Sequence, residues 1–398
     1  MTTVDRPAQV RLSAVVMHHP SRRDRIPALL RGCVPLDVRV VTDPDPGGPR
    51  SPLRTAKLAW AAIAPGATHH LVLQDDAVPC AGFAEQVRAA VAQRPAHGIA
   101  LHTDWLSPQN GYHARRAALV GAAWAPLSPT EWAPALGFLL PATAARELAG
   151  YLAAVPDEVK DDDQMIVRFC RGRALPTVAT VPHLVDNANL PTLTTGHSGV
   201  HHATVFAGSR PPPVGHWNGE PMAERVLAER SQYRHAGEYV VQLHLSRCLV
   251  RLLRPGTGEP AGHEFCWYWH DWCHLAGVSA ADVTAAASVA RASVDAARLA
   301  GVPARLAGEV WAAGYLLGAD AASVRDRVPG GRTPACERWR RAVVTSWVRS
   351  GLADADARAL SAAGLAALVE LGVEAVQHGE RRGRPHDSAD PADSAYRS

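Results

Sequence analysis

Lysine is almost missing from this chain: Lys57 and Lys160 are the only two among 41 lysines and arginines in 398 residues. Together with abundant alanine this reads as the coding bias of GC-rich DNA, and it says little about function. Cysteine pairs are missing too. Cys33, Cys80, Cys170, Cys248, Cys266, Cys273 and Cys336 are odd in number, scattered and without a C-x-x-C, which argues against a disulfide framework and fits a reducing cytosol. No long basic run occurs, the net charge is only +3 and 20% of residues are charged, so a nucleic-acid groove is not expected and a small-molecule partner is. The first ten residues lack the apolar core of a secretory signal. The most apolar stretches, such as 133–145, are too short to span a bilayer, so no transmembrane segment is expected. A soluble, cytoplasmic protein is the expectation.

Several signatures of common chemistry are absent as well. No G-x-x-x-x-G-K-[ST], H-E-x-x-H or G-x-S-x-G is present, and residues 18–25 stand where a dinucleotide fingerprint would put glycines. Phosphate-loop, zincin, serine-hydrolase and hydride-transfer readings fall away.

What is present in the first half is alternation. β-branched runs at 10–18, 38–42, 69–73 and 98–103 read as strands, separated by helical spacing at 22–31, 53–63 and 82–92. Residues 104–134 are irregular and hold Trp105, Tyr112, Trp124 and Trp132. A strand at 135–140, helices at 142–154 and 161–171, and a strand at 175–181 follow. This predicts an α/β fold, an open twisted sheet with flanking helices over 1–208. Three prolines at 211–213 mark a linker over 209–222. Helical spacing at 223–231, 239–253, 280–300, 304–317 and 352–378 predicts an all-helical C-terminal domain over 223–378, and the charged end, 379–398, reads as disordered.

The chemistry concentrates where the apolar strand at 71–73 stops at Gln74-Asp75-Asp76. Ligands of open α/β sheets lie beyond the carboxyl ends of strands. Adjacent carboxylates repel one another, and a hard divalent cation relieves them, although aspartates also serve as plain turn caps. A second acidic cluster, Asp161-Asp162-Asp163 after Asp157 and Glu158, heads an apolar helix. Capping and the helix dipole account for one or two of these acids, and another is available as a general base for an acceptor hydroxyl.

The order of these parts resembles GT-A-type glycosyltransferases, most closely the bacterial family 2 and lipopolysaccharide-modifying family 25 kinds. The likeness covers roughly 11–206. Residues 15–25 resemble their opening strand and basic turn, 71–79 their acidic metal-binding strand, and 137–148 the strand and helix on the acceptor side. The resemblance implies transfer of a sugar from a nucleotide-sugar donor, a UDP-sugar favoured, to an acceptor hydroxyl with Mn²⁺ or Mg²⁺. It implies Asp76 as metal ligand, and His18, Arg22, Arg23, Arg25, Gln74 and Asp75 around the nucleotide sugar, the arginines being equally readable as solvated charges. Asp162 or Asp163 would be the catalytic base, with Trp105, Trp132 and Gly137 on the acceptor side. Where relatives end in a histidine ligand this chain has Asn187; His183, His197, His201 and His202 lie nearby, and His197 is preferred. The helical domain would hold the acceptor or a partner protein.

Two other function classes fit parts of the pattern. A nucleotidyltransferase of related fold would carry a glycine-rich basic loop after its first strand, which is lacking, and a catalytically silent nucleotide-sugar-binding module would accommodate Asn187. Finally, Cys266, His270, Cys273 and His274 would share a helical face able to hold zinc, but the interleaved Trp267, Tyr268, Trp269 and Trp272 favour an aromatic packing helix.

Overall fold

The computed structural model describes residues 10–159, 161–193, 199–219, 239–254, 257–263, 266–293, 299, 301–325 and 334–382. Its centre is a seven-stranded mixed sheet built from β1 (Leu12–His18), β2 (Val38–Thr42), β3 (His69–Gln74), β5 (Gly98–Ala100), β6 (Trp124–Pro126), β7 (Gly137–Pro141) and β8 (Thr177–Thr180), in the order β2-β1-β3-β7-β5-β8-β6. A separate short ladder pairs β4 (Ala77–Pro79) with β9 (Val185–Asn187). β1 lies parallel between β2 and β3, while β7 runs antiparallel between β3 and β5.

Side-chain parity along these strands separates two core layers, as the two-residue period requires. Val16, Leu71, Leu73 and Leu139 face α1 (Ile26–Cys33) and α3 (Phe83–Gln93) through Leu29, Phe83 and Val87. Val15, Val72 and Phe138 face α2 (Pro52–Ala61), α5 (Ala142–Ala153) and α6 (Asp162–Gly172) through Trp60, Leu148 and Ile166. Each such fully buried side chain contributes roughly 1.5–3 kcal/mol, before the entropy of ordering it is set against the gain.

The segment 104–134, expected to be irregular, contains a full helix, α4 (Asn110–Val120), every residue of which is buried. A helix covered on all sides shows no amphipathic period, so the usual signal is missing. Its amino end is capped from afar: Glu131 accepts from the Gln109 and Asn110 amides and from Ser107 Oγ, each at 2.7 Å. Its other surfaces are covered by the C-terminal half.

That half is helical, with α7 (Ala280–Ser293), α8 (Ala304–Arg325), α9 (Pro334–Gly351), α10 (Asp354–Ala359) and α11 (Ala362–Arg382). It is not all-helical. Residues 239–253, expected as a helix, form an antiparallel hairpin, β10 (Tyr239–His244) and β11 (Arg247–Leu252), whose turn residues Leu245 and Ser246 have φ of 47° and 61°. The run is apolar on both faces, and periodicity cannot separate a buried strand from a buried helix there. Ser246 closes the turn against α9 through its amide to the Gly351 carbonyl, 2.8 Å. The end of the chain also departs from expectation: helix persists through 379–382, because Glu380 is buried against Arg340 at 3.1 Å. The expected helix at 223–231 and residues 383–398 lie outside the described residues.

The described part of 209–222 is largely exposed but is anchored by buried Pro212 and Trp217. Trp217, in a 3-10 turn (Val214–Asn218), is fully buried and donates Nε1 to Gln86 Oε1 at 2.8 Å. Around 266–275 there is only one helical turn, Trp269–Trp272, followed by a 3-10 turn. Cys266 stays outside it and exposed while Cys273 is buried, so the face that would have held zinc is not formed. Among the described residues no single helix is long and apolar enough to cross a membrane.

α4 is the seam between the halves. Tyr112 Oη donates to Asp320 Oδ2 at 2.6 Å, Arg116 Nη1 pairs with the same oxygen at 3.1 Å, and the Arg115 guanidinium lies 5.3 Å from the Trp347 ring centre. One hydrophobic cluster runs from Tyr112 and Leu119 through Val250 and Trp311 to Val376.

Candidate active site

The carboxyl ends of β1, β2, β3 and β5 open on one cleft of about 1050 Å³. Successive connections leave β1 in opposite directions, first to β2 and then across to β3, which makes this end of the sheet the crevice where α/β folds take ligands. His18, Arg22, Gln74, Asp75, Asp76, Trp132, Asp162, Asp163 and Asn187 all line it.

The acidic pair is held by Arg22, carried on the 3-10 turn (Pro20–Arg25) that follows β1. Arg22 Nη1 reaches Asp75 Oδ1 at 2.7 Å and Asp76 Oδ2 at 3.1 Å, and Nη2 donates to the Pro191 carbonyl at 3.1 Å. Asp75 also accepts from the His19 amide at 2.8 Å, and His18 Nδ1 stands 3.5 Å away. Asp76 is less well served. Its Oδ1 is buried without a hydrogen-bond partner among the described residues, and burial, opposed by Arg22 and assisted by Asp75, holds its pKa above the usual carboxylate range.

The β4–β9 ladder brings the closing segment back to this pair. Ala77 faces Asn187, and the Ala188 amide donates to the Asp76 carbonyl at 2.8 Å. Asn187 Oδ1 accepts the Asn189 amide at 2.6 Å and has a second lone pair. Among the described residues no group of three or more His, Cys, Asp or Glu side chains is arranged to hold a metal. His197 lies outside the described residues. His183 is no candidate ligand: it is buried, its Nε2 is 2.6 Å from Thr103 Oγ1, and burial pushes its pKa down to about 3.

The head of α6 lines the same cleft. Asp161 is the N-cap residue and Asp163 Oδ1 accepts the Gln164 amide at 2.6 Å. Asp162 is 5% exposed, and burial, reinforced by the charges of Asp163 and Asp161, pushes its pKa up to about 7. A carboxyl group that titrates near neutrality can take a proton from a hydroxyl and release it again.

Four expected positions fall elsewhere. Arg23 points to solvent, its side chain 84% exposed beside Asp24. Arg25 does not line the cleft, because the 3-10 turn directs only Arg22 inward. Trp105 lies behind it, donating Nε1 to the Val200 carbonyl at 2.7 Å with its ring edge-on to His202. Gly137 is interior to β7; a Cβ there would come within 3.2 Å of Leu73 and 3.4 Å of Val185, so its smallness serves strand packing. Trp124 likewise is core, its ring tilted at 57° against that of Trp217.

Sequence reasoning missed three groups at the cleft. Asp43, ending β2, is buried and clasped by Arg54 at 2.9 and 3.0 Å; burial alone would raise its pKa, but the hydrogen bonds and charge of Arg54 lower it. Asp104 sits 2.6 Å from His201 Nδ1, and this hydrogen bond raises the histidine's pKa. His102, buried and held below its ordinary pKa by burial, lines the same cleft. The rule that singled out Asp76, an acid just past an apolar strand, applies equally to Asp43 and Asp104. No family model matches the chain, and no curated protein matches it at a significant level.

Proposed function

We propose that this chain transfers a sugar from a nucleotide-sugar donor, a UDP-sugar favoured, to an acceptor hydroxyl, on a core of the GT-A kind working in the cytoplasm. The observation that carries the reading is one cleft with two carboxyl groups of different character: Asp76, at the end of β3, with a buried oxygen that has no partner among the described residues, and Asp162, at the head of α6, whose pKa is pushed up to about 7.

A hard divalent cation fits the first. Mg²⁺ is commonly held by one or two carboxylates together with substrate phosphates, so a complete protein cage is not required. Asp76, assisted by the side-chain carbonyl of Asn187, would hold Mn²⁺ or Mg²⁺. Bound there, the ion would supply Lewis-acid neutralisation of the charge on a departing diphosphate. Arg22 orients Asp75 through its 2.7 Å hydrogen bond, and Arg50 adds positive charge to the same cleft. Asp162 accepts the proton of the acceptor hydroxyl, and Trp132, 38% exposed at the rim, offers a ring face to a sugar.

Titration calorimetry with UDP is the first test, and binding strengthened by Mn²⁺ is expected. Absence of binding with and without the ion would sink the UDP form of the proposal. Asp76→Ala is expected to abolish metal-dependent donor hydrolysis, and an unchanged rate removes Asp76 from this role. Release of UDP rather than pyrophosphate separates sugar transfer from nucleotidyl transfer.

A further inference from the structure

Beside the main cleft lies a second pocket of about 500 Å³ between α6, the segment around Glu131, and β10–β11. Trp132 and Gln164 belong to the walls of both, so the two adjoin. Their charges are opposite. The main cleft carries the aspartates, whereas the second pocket carries Arg168, Arg171 and Arg251. Its two acids offer little compensation: both oxygens of Glu131 are committed to the cap of α4, and Glu259 is half exposed near Arg254. Arg251 spends Nε on Gln242 at 2.6 Å. No acidic partner of Arg168 or Arg171 is found among the described residues.

The helix relates the two pockets as a ruler. Gln164, Val167, Arg168 and Arg171 follow the i, i+3, i+4, i+7 spacing of one helix face and all line the second pocket, while Asp162 and Asp163 head the same helix in the main cleft. At 1.5 Å per residue, Arg168 and Arg171 lie roughly 9 and 14 Å along the axis from Asp162. An anionic group on an acceptor would be repelled by the aspartates of the main cleft and received by guanidinium forks here.

We infer that the acceptor carries a phosphate or carboxylate about 10 Å from the hydroxyl that receives the sugar, and that Arg168, Arg171 and Arg251 bind it. This rests on the glycosyl-transfer reading, from which Asp162 takes its role. A disaccharide 1-phosphate has the required span.

The test is calorimetry on the full chain, in the presence of UDP, with lactose 1-phosphate, lactose and inorganic phosphate as separate probes. Lactose 1-phosphate is expected to bind about tenfold or more tighter than either of the others, as charge-assisted contacts to arginine allow. Arg168→Ala/Arg171→Ala is expected to erase that preference, and Arg168→Lys/Arg171→Lys to keep part of it. Both positions are exposed on α6, and an unchanged UDP affinity shows that the variants retain the donor side. Equal affinity for lactose and its phosphate, or a preference that survives the alanine pair, overturns the inference. So does inorganic phosphate binding as tightly as lactose 1-phosphate, which would make this a free-anion site. Failure of UDP to bind the wild type counts against the UDP-sugar form of the glycosyl-transfer reading, whatever the phosphate preference.

Discussion

Replacing Asp162 by asparagine is expected to stabilise the fold at alkaline pH and, on the proposed sugar-transfer reading, to remove the group that receives the acceptor proton. In the folded chain the pKa of this carboxyl is pushed up to about 7 from the ordinary 3.8, chiefly because burial disfavours its charge. A folded-state pKa above the unfolded one means that the native chain holds the proton more tightly, so stability declines as pH rises from about 4 to about 7 and is level beyond. The difference of about 3 units, at 1.36 kcal/mol each, makes the full penalty about 4 kcal/mol above pH 7. About 1.5 kcal/mol of it is already present at pH 5. Asparagine forgoes the favourable interaction of a carboxylate with the amino end of α6, roughly 0.3–1 kcal/mol. The net gain at pH 8 is therefore about 3 kcal/mol, and it should shrink by about 2.5 kcal/mol at pH 5. Denaturant melts of both proteins at pH 5, 6.5 and 8 measure it. A stability difference that does not change with pH refutes the assignment of the raised pKa to Asp162. In the wild type the transfer rate should climb through pH 7 as this carboxyl ionises, and the variant should lack both the limb and the activity.

Arg22→Met leaves two buried carboxylates without their shared cation and is expected to cost about 3–5 kcal/mol, read as a lowered denaturation midpoint; Mn²⁺ should restore more stability to this variant than it adds to the wild type. Asp320→Asn withdraws the charge from a site where Arg116 is buried and is expected to cost about 3 kcal/mol, with protection of α4 amides from hydrogen exchange falling alongside. Gly137→Ala crowds Leu73 and Val185 and should destabilise by about 1–3 kcal/mol while leaving the KM for the acceptor unchanged, since the residue is not in contact with the cleft.

The parity of Val15 and Val16, and of Val72 and Leu73, is legible because each strand is flanked by turn residues and alternates between two helical layers. The chain also announces the end of β3, since an apolar run that stops at two acids has few bland explanations. What stays hidden depends on partners distant in the chain. α4 has no polar face because α8, α9 and the hairpin cover it, and its cap, Glu131, comes from 21 residues beyond. The hairpin itself is as apolar as a buried helix, so only its left-handed turn at Leu245 and Ser246 distinguishes it. The insertion of antiparallel β7 between β3 and β5 follows from long-range pairing that local spacing does not encode. Within the cleft, Asp76 and Asp162 are readable from their position at element ends. Asp104 and His201 require knowledge that a loop almost a hundred residues later returns to β5.

The burial of α4 on every side has a consequence for how the protein is made. On the ribosome, every strand of the sheet has emerged once β9 has, and the layer over α3 closes when Trp217 follows. α4 is covered later still, because the cluster that encloses Tyr112 and Leu119 includes Trp311, Trp347 and Val376, which are synthesised long after it. Until then a helix carrying Arg115 and Arg116 among apolar neighbours is left half-clothed beside the very cleft whose rim it supports through the Trp105 carbonyl. The sheet is thus finished early and the burial of α4 late, and on the proposed reading binding competence should arrive with α11 rather than with the strands that bear the aspartates.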